Sequence, residues 1–404
     1  MSVKFAKTIV ENTIAKNKYV LNEISQKIWK TPELSFEEKG AHDLLTGFLQ
    51  KHGFKVQKHY LLETAFKAEY ETGGGGPTIA VICEYDALPN IGHACGHNLI
   101  AEIGIAVGLA VKAYLDCDTD VVGKVVVLGT PAEEGGGGKI KMIERGAFRN
   151  VDAALMAHPQ VENRLYPLIL DLARMSVKYR IKEGTDPWCN SNAVDACVSC
   201  YNNVAIMRSS LKSKWRVSGI IKCKNWDETE LSFSYRAPTR MELKTIQKKL
   251  KKCVQAAADT TNCLYEIDFH QESARSEYRG MVANRTMAEL FAKHAETREI
   301  KFRDGDMRIC ESAVSTDMGN VSHVVPSIQP EYSIGAGPHV NHTPGFAIAA
   351  ADIKAQIPTL HIAESLALTV IELMSNPELL QKVKMEYETN LHIDPVGSHR
   401  FAGE

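Results

Sequence analysis

Short, wholly apolar runs alternate with helical patterns along the first 170 residues of the chain. Strand-length runs without polar positions are typical of strands buried on both faces, and apolar residues at three- and four-residue spacing predict amphipathic helices. The predicted elements are helices at 4–29, 38–52 and 99–114, β-structure at 54–70, and buried strands at 78–83, 123–129 and 153–156. Strands alternating with helices indicate an α/β domain with a mostly parallel central sheet.

The pattern changes near residue 170. Residues 172–181 alternate between apolar and polar positions like a half-buried strand, and the segments up to residue 270 follow the order β-α-β-β-α-β. This order is typical of a compact α+β domain. Helical patterns return after residue 280. The predicted organisation is therefore a first domain built from 1–170 and 281–404, with an inserted α+β domain at 171–280.

Composition narrows the class of protein. The chain has 404 residues, of which 44% are hydrophobic and 24% charged, and its formal net charge is −2, as in ordinary globular proteins. The basic cluster at 248–252 is short and helical in context, so we expect a solvated face and no nucleic-acid partner. No apolar stretch reaches the ~20 residues of a membrane span, and no signal peptide is visible. The ten cysteines lack disulfide spacing, which indicates reduced thiols and a cytoplasmic location.

Polar side chains follow the ends of the predicted buried strands. In sheets of this kind, ligands bind beyond the carboxyl ends of the strands. The residues that follow strand ends are Asp86, Cys95, Glu133, Glu134 and His158. We therefore expect these side chains to converge on one rim of the sheet.

Cys95 and His97 lie on either side of Gly96, which allows a sharp local turn. Thiolate and imidazole are both ligands of borderline-soft divalent metals. The pair therefore suggests a metal site. An isolated pair of this kind would more often be a buried free cysteine beside a structural histidine.

Glu133 and Glu134 form a carboxylate pair that is followed by four glycines. Adjacent side chains point in different directions, so one carboxylate can bind metal while the other acts as a general base. Taken alone, the pair is equally compatible with an acidic turn. His158 and His342 are further candidate ligands, although each could be a structural or loop histidine, and His339 competes with His342 for such a role.

A set of segments in order along nearly the whole chain resembles one enzyme family. The segments are Pro32–Glu38, Tyr85–Pro89, His93–Asn98, Thr130–Gly136, Met156–Pro159, Ser315–Asn320 and His342–Thr343. They are similar to those of the zinc/manganese amidohydrolase and peptidase family that includes aminoacylase-1, glutamate carboxypeptidases and plant auxin-conjugate hydrolases. The branch most similar to this chain holds bacterial aminobenzoyl-glutamate hydrolases and the animal cytosolic β-alanyl-lysine (Xaa-Arg) dipeptidase.

The resemblance implies a site with two divalent ions, Zn or Mn. By that resemblance Cys95 bridges the two ions, and the remaining ligands are His97, Glu134, His158 and His342. Asp86 orients a ligand, and Glu133 acts as general base, taking a proton from a metal-activated water and passing it to the leaving amine. The implied substrate is a dipeptide or N-acyl amino acid. The inserted domain at 171–280 is expected to serve as a lid and to form a homodimer.

The inserted domain departs from the family pattern at two places. The family's lid strand usually reads R-x-H-G-I-I, and its histidine helps to stabilise the tetrahedral oxyanion in the partner subunit's site. Here the segment is Arg216–Ile221, with Ser218 in place of the histidine. A hydroxyl has a shorter reach and cannot carry positive charge, and losing one such donor costs on the order of 10²–10³ in kcat. The segment at 180–190 is also shorter and lacks the family's His-Ala pair.

These departures leave three hypotheses open. The chain is an ordinary hydrolase of dipeptides or N-acyl amino acids in which another group, such as His323 or His339, replaces the lid histidine. Alternatively, the metal centre performs different chemistry on an amide or amine, or the protein is a weakly active homologue that retains metal and acts by binding. The residues predicted to contact substrate are Ser218, Arg236 and Asn192. Arg236 either binds a carboxylate or only anchors the lid sheet.

Overall fold

The computed structural model describes residues 3–184, 192–223, 226–269, 277–302 and 314–393. The helices are Val3–Lys30 (α1), Lys39–Lys51 (α2), His97–Cys117 (α3), Gly138–Glu144 (α4), Ala193–Arg208 (α5), Arg240–Thr261 (α6), Arg285–Glu296 (α7), Met318–Val321 (α8), Pro344–Ala351 (α9), Gln356–Ser375 (α10) and Pro377–Ile393 (α11). The strands are Lys55–Lys58 (β1), Phe66–Glu71 (β2), Thr78–Cys83 (β3), Lys124–Gly129 (β4), Ala153–Leu155 (β5), His158–Gln160 (β6), Asp171–Arg180 (β7), Arg216–Cys223 (β8), Glu228–Ala237 (β9), Leu264–Asp268 (β10), Glu277–Tyr278 (β11), Ser327–Ile328 (β12) and Glu331–Ser333 (β13).

The chain forms two compact units. The first comprises Met1–Leu168, Met281–Ser312 and Asn320–His392, and the second comprises Ile169–Gly280, Ala313–Gly319 and Ile393–Glu404. The sequence divided the chain at 170 and 280. The grouping of 314–319 with the second unit is a difference that the sequence pattern did not suggest, because this short stretch, which includes the start of the four-residue helix α8, has no periodic signal.

A six-stranded sheet forms the centre of the first unit, in the order β1-β2-β4-β3-β5-β12. β4, β3, β5 and β12 run parallel to their neighbours in this half of the sheet, whereas β1 and β2 form an antiparallel edge. β3 and β4 are buried almost throughout, which explains their unbroken apolar sequences. The predicted α/β fold with a mostly parallel sheet is confirmed.

Long apolar helices pack together beside this sheet. α3 contacts α1, α10 and β3, and its side chains are buried over most of its length. By length and composition, α3 and the segment Ile353–Ser375 could each cross a membrane, but 89% and 72% of their apolar windows are buried inside the fold. Burial of this extent is typical of core helices in a globular protein.

The second unit contains an antiparallel sheet in the order β10-β7-β9-β8, with β11 paired to β7. α5 and α6 contact each other and pack on this sheet. Apolar side chains alternate along β9 because one face of the sheet is covered by the helices. The predicted β-α-β-β-α-β order is confirmed by the succession from β7 to β10.

Candidate metal centre

The loop before α3 places Cys95 and His97 at the carboxyl end of β3. Gly96 between them has a φ of 78°, and it is the N-cap of α3. A Cβ atom at this position would lie 2.6 Å from Cγ of Pro159. Only glycine avoids both the backbone strain and the close contact, so Gly96 fixes the path by which the two side chains enter the site.

His97 lies at the centre of the site and is fully buried. Its Nδ1–H donates to Oδ1 of Asp86 over 3.0 Å, which leaves a lone pair on Nε2. The Nε2 atom faces Oε1 of Glu134 at 3.9 Å and Oε2 of Glu133 at 4.0 Å. Oδ2 of Asp86 accepts a hydrogen bond of 3.0 Å from the backbone N–H of Glu134. Asp86 therefore positions both the imidazole and the carboxylate segment.

His158 lies at the start of β6 and faces Cys95. Its Nε2 is 3.4 Å from Sγ of Cys95, and its Nδ1–H donates to the carbonyl oxygen of Pro159 over 2.8 Å. Burial, with a further contribution from His97, lowers the pKa of His158 to about 4. The ring is therefore neutral near pH 7, with Nε2 available as a ligand.

A loop before α9 brings His342 to Glu134. Nε2 of His342 lies 3.4 Å from Oε2 of Glu134. The backbone N–H of His342 donates to the carbonyl oxygen of Ala94 over 2.9 Å, and Nδ2 of Asn341 donates to the carbonyl oxygen of Pro159 over 3.1 Å. His342 has a φ of 65°, an uncommon conformation for a residue with a side chain. Both His342 and its competitor His339 are exposed, but among the described residues only His342 belongs to a ligand group.

Glu38 holds the segment before Glu133 in place, a role that sequence reasoning missed. Its Oε1 accepts a hydrogen bond of 2.9 Å from the backbone N–H of Ala132, which has a φ of 60°. Its Oε2 accepts a hydrogen bond of 2.7 Å from Oγ1 of Thr64. Burial raises the pKa of Glu38 to about 7. Glu38 lies in the segment Pro32–Glu38, which resembles a segment of the family. That resemblance implied no role for Glu38 itself.

A buried ion pair, which sequence reasoning also missed, lies beside His97. Nζ of Lys139 is 2.5 Å from Oε1 of Glu84, and neither residue is exposed to solvent. Oε2 of Glu84 lies 3.5 Å from Nε2 of His97. Glu84 directly follows β3, so its place at a strand end was a usable signal.

The donor atoms of this site fit divalent metal ions. Among the described residues, three groups have ligand atoms within 4.8 Å of one another, namely Cys95, His97 and His158; Cys95, Glu134 and His342; and His97, Glu133 and Glu134. Thiolate, imidazole and carboxylate donors suit borderline-soft ions such as zinc. Nε2 of His97 and Oε1 of Glu134 are buried and have no hydrogen-bond partner in the described part of the chain, and a cation would satisfy both.

The pKa shifts of the buried groups also indicate a site for a cation. Burial and the nearby Glu134 raise the pKa of the Cys95 thiol well above its usual range. Burial alone would lower the pKa of His97, but Cys95 and Asp86 raise it well above its usual value. A buried group of thiol, carboxylates and imidazole therefore requires positive charge, which a proton on His97 or a metal ion supplies.

The residues predicted to contact substrate all lie in the second unit. Ser218 is exposed on β8, with Oγ 3.5 Å from the carbonyl oxygen of Ser234. Oδ1 of Asn192 caps α5 by accepting the backbone N–H of Asp195 over 2.8 Å. Their roles toward a substrate stay predictions, and the predicted deletion near 180–190 falls largely outside the described residues.

Arg236 is half-buried on β9, and its Nε–H donates to Oγ of Ser315 over 3.2 Å. Burial and the neighbouring Arg174 lower the pKa of its guanidinium group. The hydrogen bond to Ser315 is compatible with either role considered for Arg236, because a guanidinium group has five N–H donors.

Comparison with known proteins identifies the family of this chain. Residues 81–362 match the model described as Peptidase family M20/M25/M40. The chain is 40% identical to the Xaa-Arg dipeptidases of Mus musculus, over 392 residues, and of Homo sapiens, over 396 residues; each alignment covers 92% of this chain and 89% of the relative. Among solved structures, a dinuclear metal binding peptidase of Bacillus subtilis has a TM-score of 0.66 at 18% identity, covering 89% of this chain and 99% of that one.

Proposed function

The chain belongs to peptidase family M20/M25/M40 and is a hydrolase of peptide or amide bonds; from this premise we propose that it cleaves a dipeptide or N-acyl amino acid with two bound divalent ions, Zn or Mn. The observation that carries the proposal is the convergence of thiolate, imidazole and carboxylate donors within 4.8 Å of one another. We assign the metal ligands to Cys95, His97, Glu134, His158 and His342. Cys95 is shared by the group that contains His158 and the group that contains His342, which supports its assignment as the bridging ligand.

We assign different roles to the two adjacent carboxylates. Glu134 has the contacts of a ligand, because its oxygens face His97 and His342 and its N–H is held by Asp86. Glu133 is assigned as the general base. The bound ions would polarise the amide carbonyl and make a water more acidic. Glu133 would accept the proton of that water and deliver it to the leaving amine, while Asp86 keeps Nε2 of His97 directed at the metal.

The substrate class is proposed from the dipeptidase relatives. Incubation of the metal-loaded protein with β-alanyl-lysine, with other dipeptides and with N-acyl amino acids should release the free acid and the free amine in equal amounts. A substrate consumed without these two products would favour different chemistry at the metal centre. Two bound metal ions without turnover of any such substrate would favour a binding function.

We also propose that the second unit forms a homodimer and that the protein is cytoplasmic. β8 is an edge strand of its sheet, and Ile220 and Ile221 on it are 66% and 40% exposed. An unpaired apolar edge of this kind is suited to a second copy of the chain. Within the described part of the chain, Cys83, Cys95 and Cys117 form no disulfide bond, as expected in a reducing compartment. Light scattering after gel filtration measures the oligomeric state directly.

Restoring the lid histidine tests whether Ser218 limits the rate. Ser218→His is expected to raise kcat for dipeptide hydrolysis by on the order of 10²-fold, because it returns a donor that reaches further and can carry charge. Ser232→His on the neighbouring strand β9 is the matched control and should leave kcat unchanged. An unaltered kcat in Ser218→His would show that another group stabilises the oxyanion.

The two roles considered for Arg236 predict different kinetics. If Arg236 binds the substrate carboxylate, Arg236→Gln removes a charged hydrogen bond of about 1.5–3 kcal/mol, which corresponds to a KM increase of roughly 10–150-fold. We expect this result. Arg180→Gln, which breaks an exposed pair with Glu228 on the same sheet, is the control. A lower thermal midpoint with unchanged KM would assign Arg236 to anchoring the sheet.

A further inference from the structure

Two carboxylates two residues apart hold the two ring nitrogens of His97. Asp86 binds the Nδ1 side at 3.0 Å, and Glu84 lies 3.5 Å from the Nε2 side. Both residues directly follow β3, and both side chains reach the ring of His97. Asp86 has a hydrogen-bonding role that explains its position. Glu84 faces a nitrogen to which it cannot donate a proton while it is ionised.

Oε2 of Glu84 and Nε2 of His97 face each other in the interior of the protein. Each is buried, and neither has a hydrogen-bond partner among the described residues. Because Nδ1–H of His97 is committed to Asp86, Nε2 is the ring atom that is available to a cation beside the carboxylate oxygen. Each of the two buried atoms lacks the partner that buried polar atoms normally have, and each therefore carries a free-energy penalty. A cation between them removes both penalties.

The distance between the two atoms is compatible with a shared metal ion. Ligand atoms at ~2.0–2.2 Å from one tetrahedral ion lie about 3.4 Å apart. Oε2 of Glu84 and Nε2 of His97 are 3.5 Å apart, close to that value. We infer that Glu84 is a further metal-binding carboxylate, with Oε2 directed at the same ion as His97. This inference rests on the proposed metal centre and adds a ligand to the set assigned above.

Lys139 gives this carboxylate its orientation. Its Nζ lies 2.5 Å from Oε1 of Glu84, which directs the other oxygen toward His97. A fully buried lysine needs a nearby anion, and a fully buried glutamate needs a nearby cation. Lys139 alone does not offset the negative charge of Glu84 together with Glu133 and Glu134. Metal ions at Glu84 and His97 would supply the remaining positive charge.

Metal titration of the full chain tests the inference without reference to activity. After chelator treatment, Zn²⁺ or Co²⁺ is added to the wild type and to Glu84→Gln, and affinity is measured by competition with a chromogenic chelator. Glu84→Gln is expected to weaken one of the two sites by roughly 10–100-fold, the usual cost of disturbing a metal site's carboxylates. The visible spectrum of bound Co²⁺, which reports its ligands, should also change.

A matched control separates ligation from the general loss of a buried charge. Glu331 is a buried glutamate whose Oε2 lies 3.5 Å from a nitrogen of Arg164, and, like Glu84, it is outside the three described ligand groups. Glu331→Gln should keep wild-type metal affinity and an unchanged Co²⁺ spectrum. Wild-type affinity and spectrum in Glu84→Gln would overturn the inference. Failure of the wild type itself to bind two ions would instead contradict the proposed function.

Lys139→Met provides a second test if Glu84→Gln does not fold. Removing the lysine frees Oε1 and leaves the carboxylate in place, so metal affinity should be equal to or higher than that of the wild type. If the pair has only a structural role, Lys139→Met should disturb the site and weaken metal binding. Metal binding weaker than that of the wild type in Lys139→Met would therefore count against Glu84 as a ligand.

Discussion

Replacing Glu133 with Gln is expected to lower kcat for amide hydrolysis by on the order of 10²–10⁴-fold while both metal ions stay bound. The amide has nearly the shape of the carboxylate but cannot take a proton at neutral pH. Glu133 is buried and its Oε2 lies 4.0 Å from Nε2 of His97, at the border of the ligand group. Steady-state kinetics with a dipeptide and elemental analysis of the purified variant measure the two effects separately.

The adjacent carboxylate is the control for this experiment. Glu134→Gln should lose metal as well as activity, because Glu134 lies 3.4 Å from His342 and 3.9 Å from His97. The two variants remove the same charge from neighbouring positions. A difference in their metal content would therefore reflect the different roles of the two carboxylates. If Glu133→Gln loses metal and Glu134→Gln retains it, the two assignments must be exchanged.

Replacing Cys95 with Ala is expected to abolish tight metal binding and to reduce hydrolysis below detection. Cys95 is the only residue shared by the group with His158 and the group with Glu134 and His342, so its loss should affect both ions. A ligand present at 100 times its Kd stabilises the folded state by about 2.7 kcal/mol. Added Zn²⁺ should therefore raise the thermal midpoint of the wild type and leave that of the variant unchanged.

Cys83→Ala is the control for the loss of a buried thiol. Cys83 ends β3 and is also fully buried, but its Sγ donates to the carbonyl oxygen of Ala101 at 3.7 Å and lies outside the described ligand groups. This variant should show a modest loss of stability with metal content and kcat unchanged. A Cys95→Ala protein that still binds two ions would exclude the bridging role.

Periodicity alone predicts those helices and strands that have a regular pattern over their whole length. The helices at 4–29 and 38–52 and the strand at 78–83 agree with the structure to within a few residues, because each has a strong pattern over its whole length. The short helix Gly138–Glu144 was not predicted. It follows a run of glycines, whose low helical propensity conceals the start of the helix.

The sequence likewise revealed some residues of the candidate site more clearly than others. Cys95, His97, Glu133 and Glu134 were visible from the sequence because they form compact clusters of metal-binding types at strand ends. His158 had only its place after a predicted strand as a signal, and His342 had no local signal. The structure brings them to the cluster through the bond of Asn341 to Pro159 and through the pairing of their own segments with distant ones.

By itself, the sequence determined the α/β class, the inserted α+β domain and the segments that carry the metal-binding residue types. Those features depend on local patterns, and consecutive residues are sufficient to define such patterns. Only the tertiary structure decided that Glu38 holds Ala132, that Glu84 and Lys139 pair beside His97, and that His342 meets Glu134 while His339 faces solvent. Each of these contacts joins residues far apart in the chain. Their distances depend on how helices and strands pack, which no local pattern encodes.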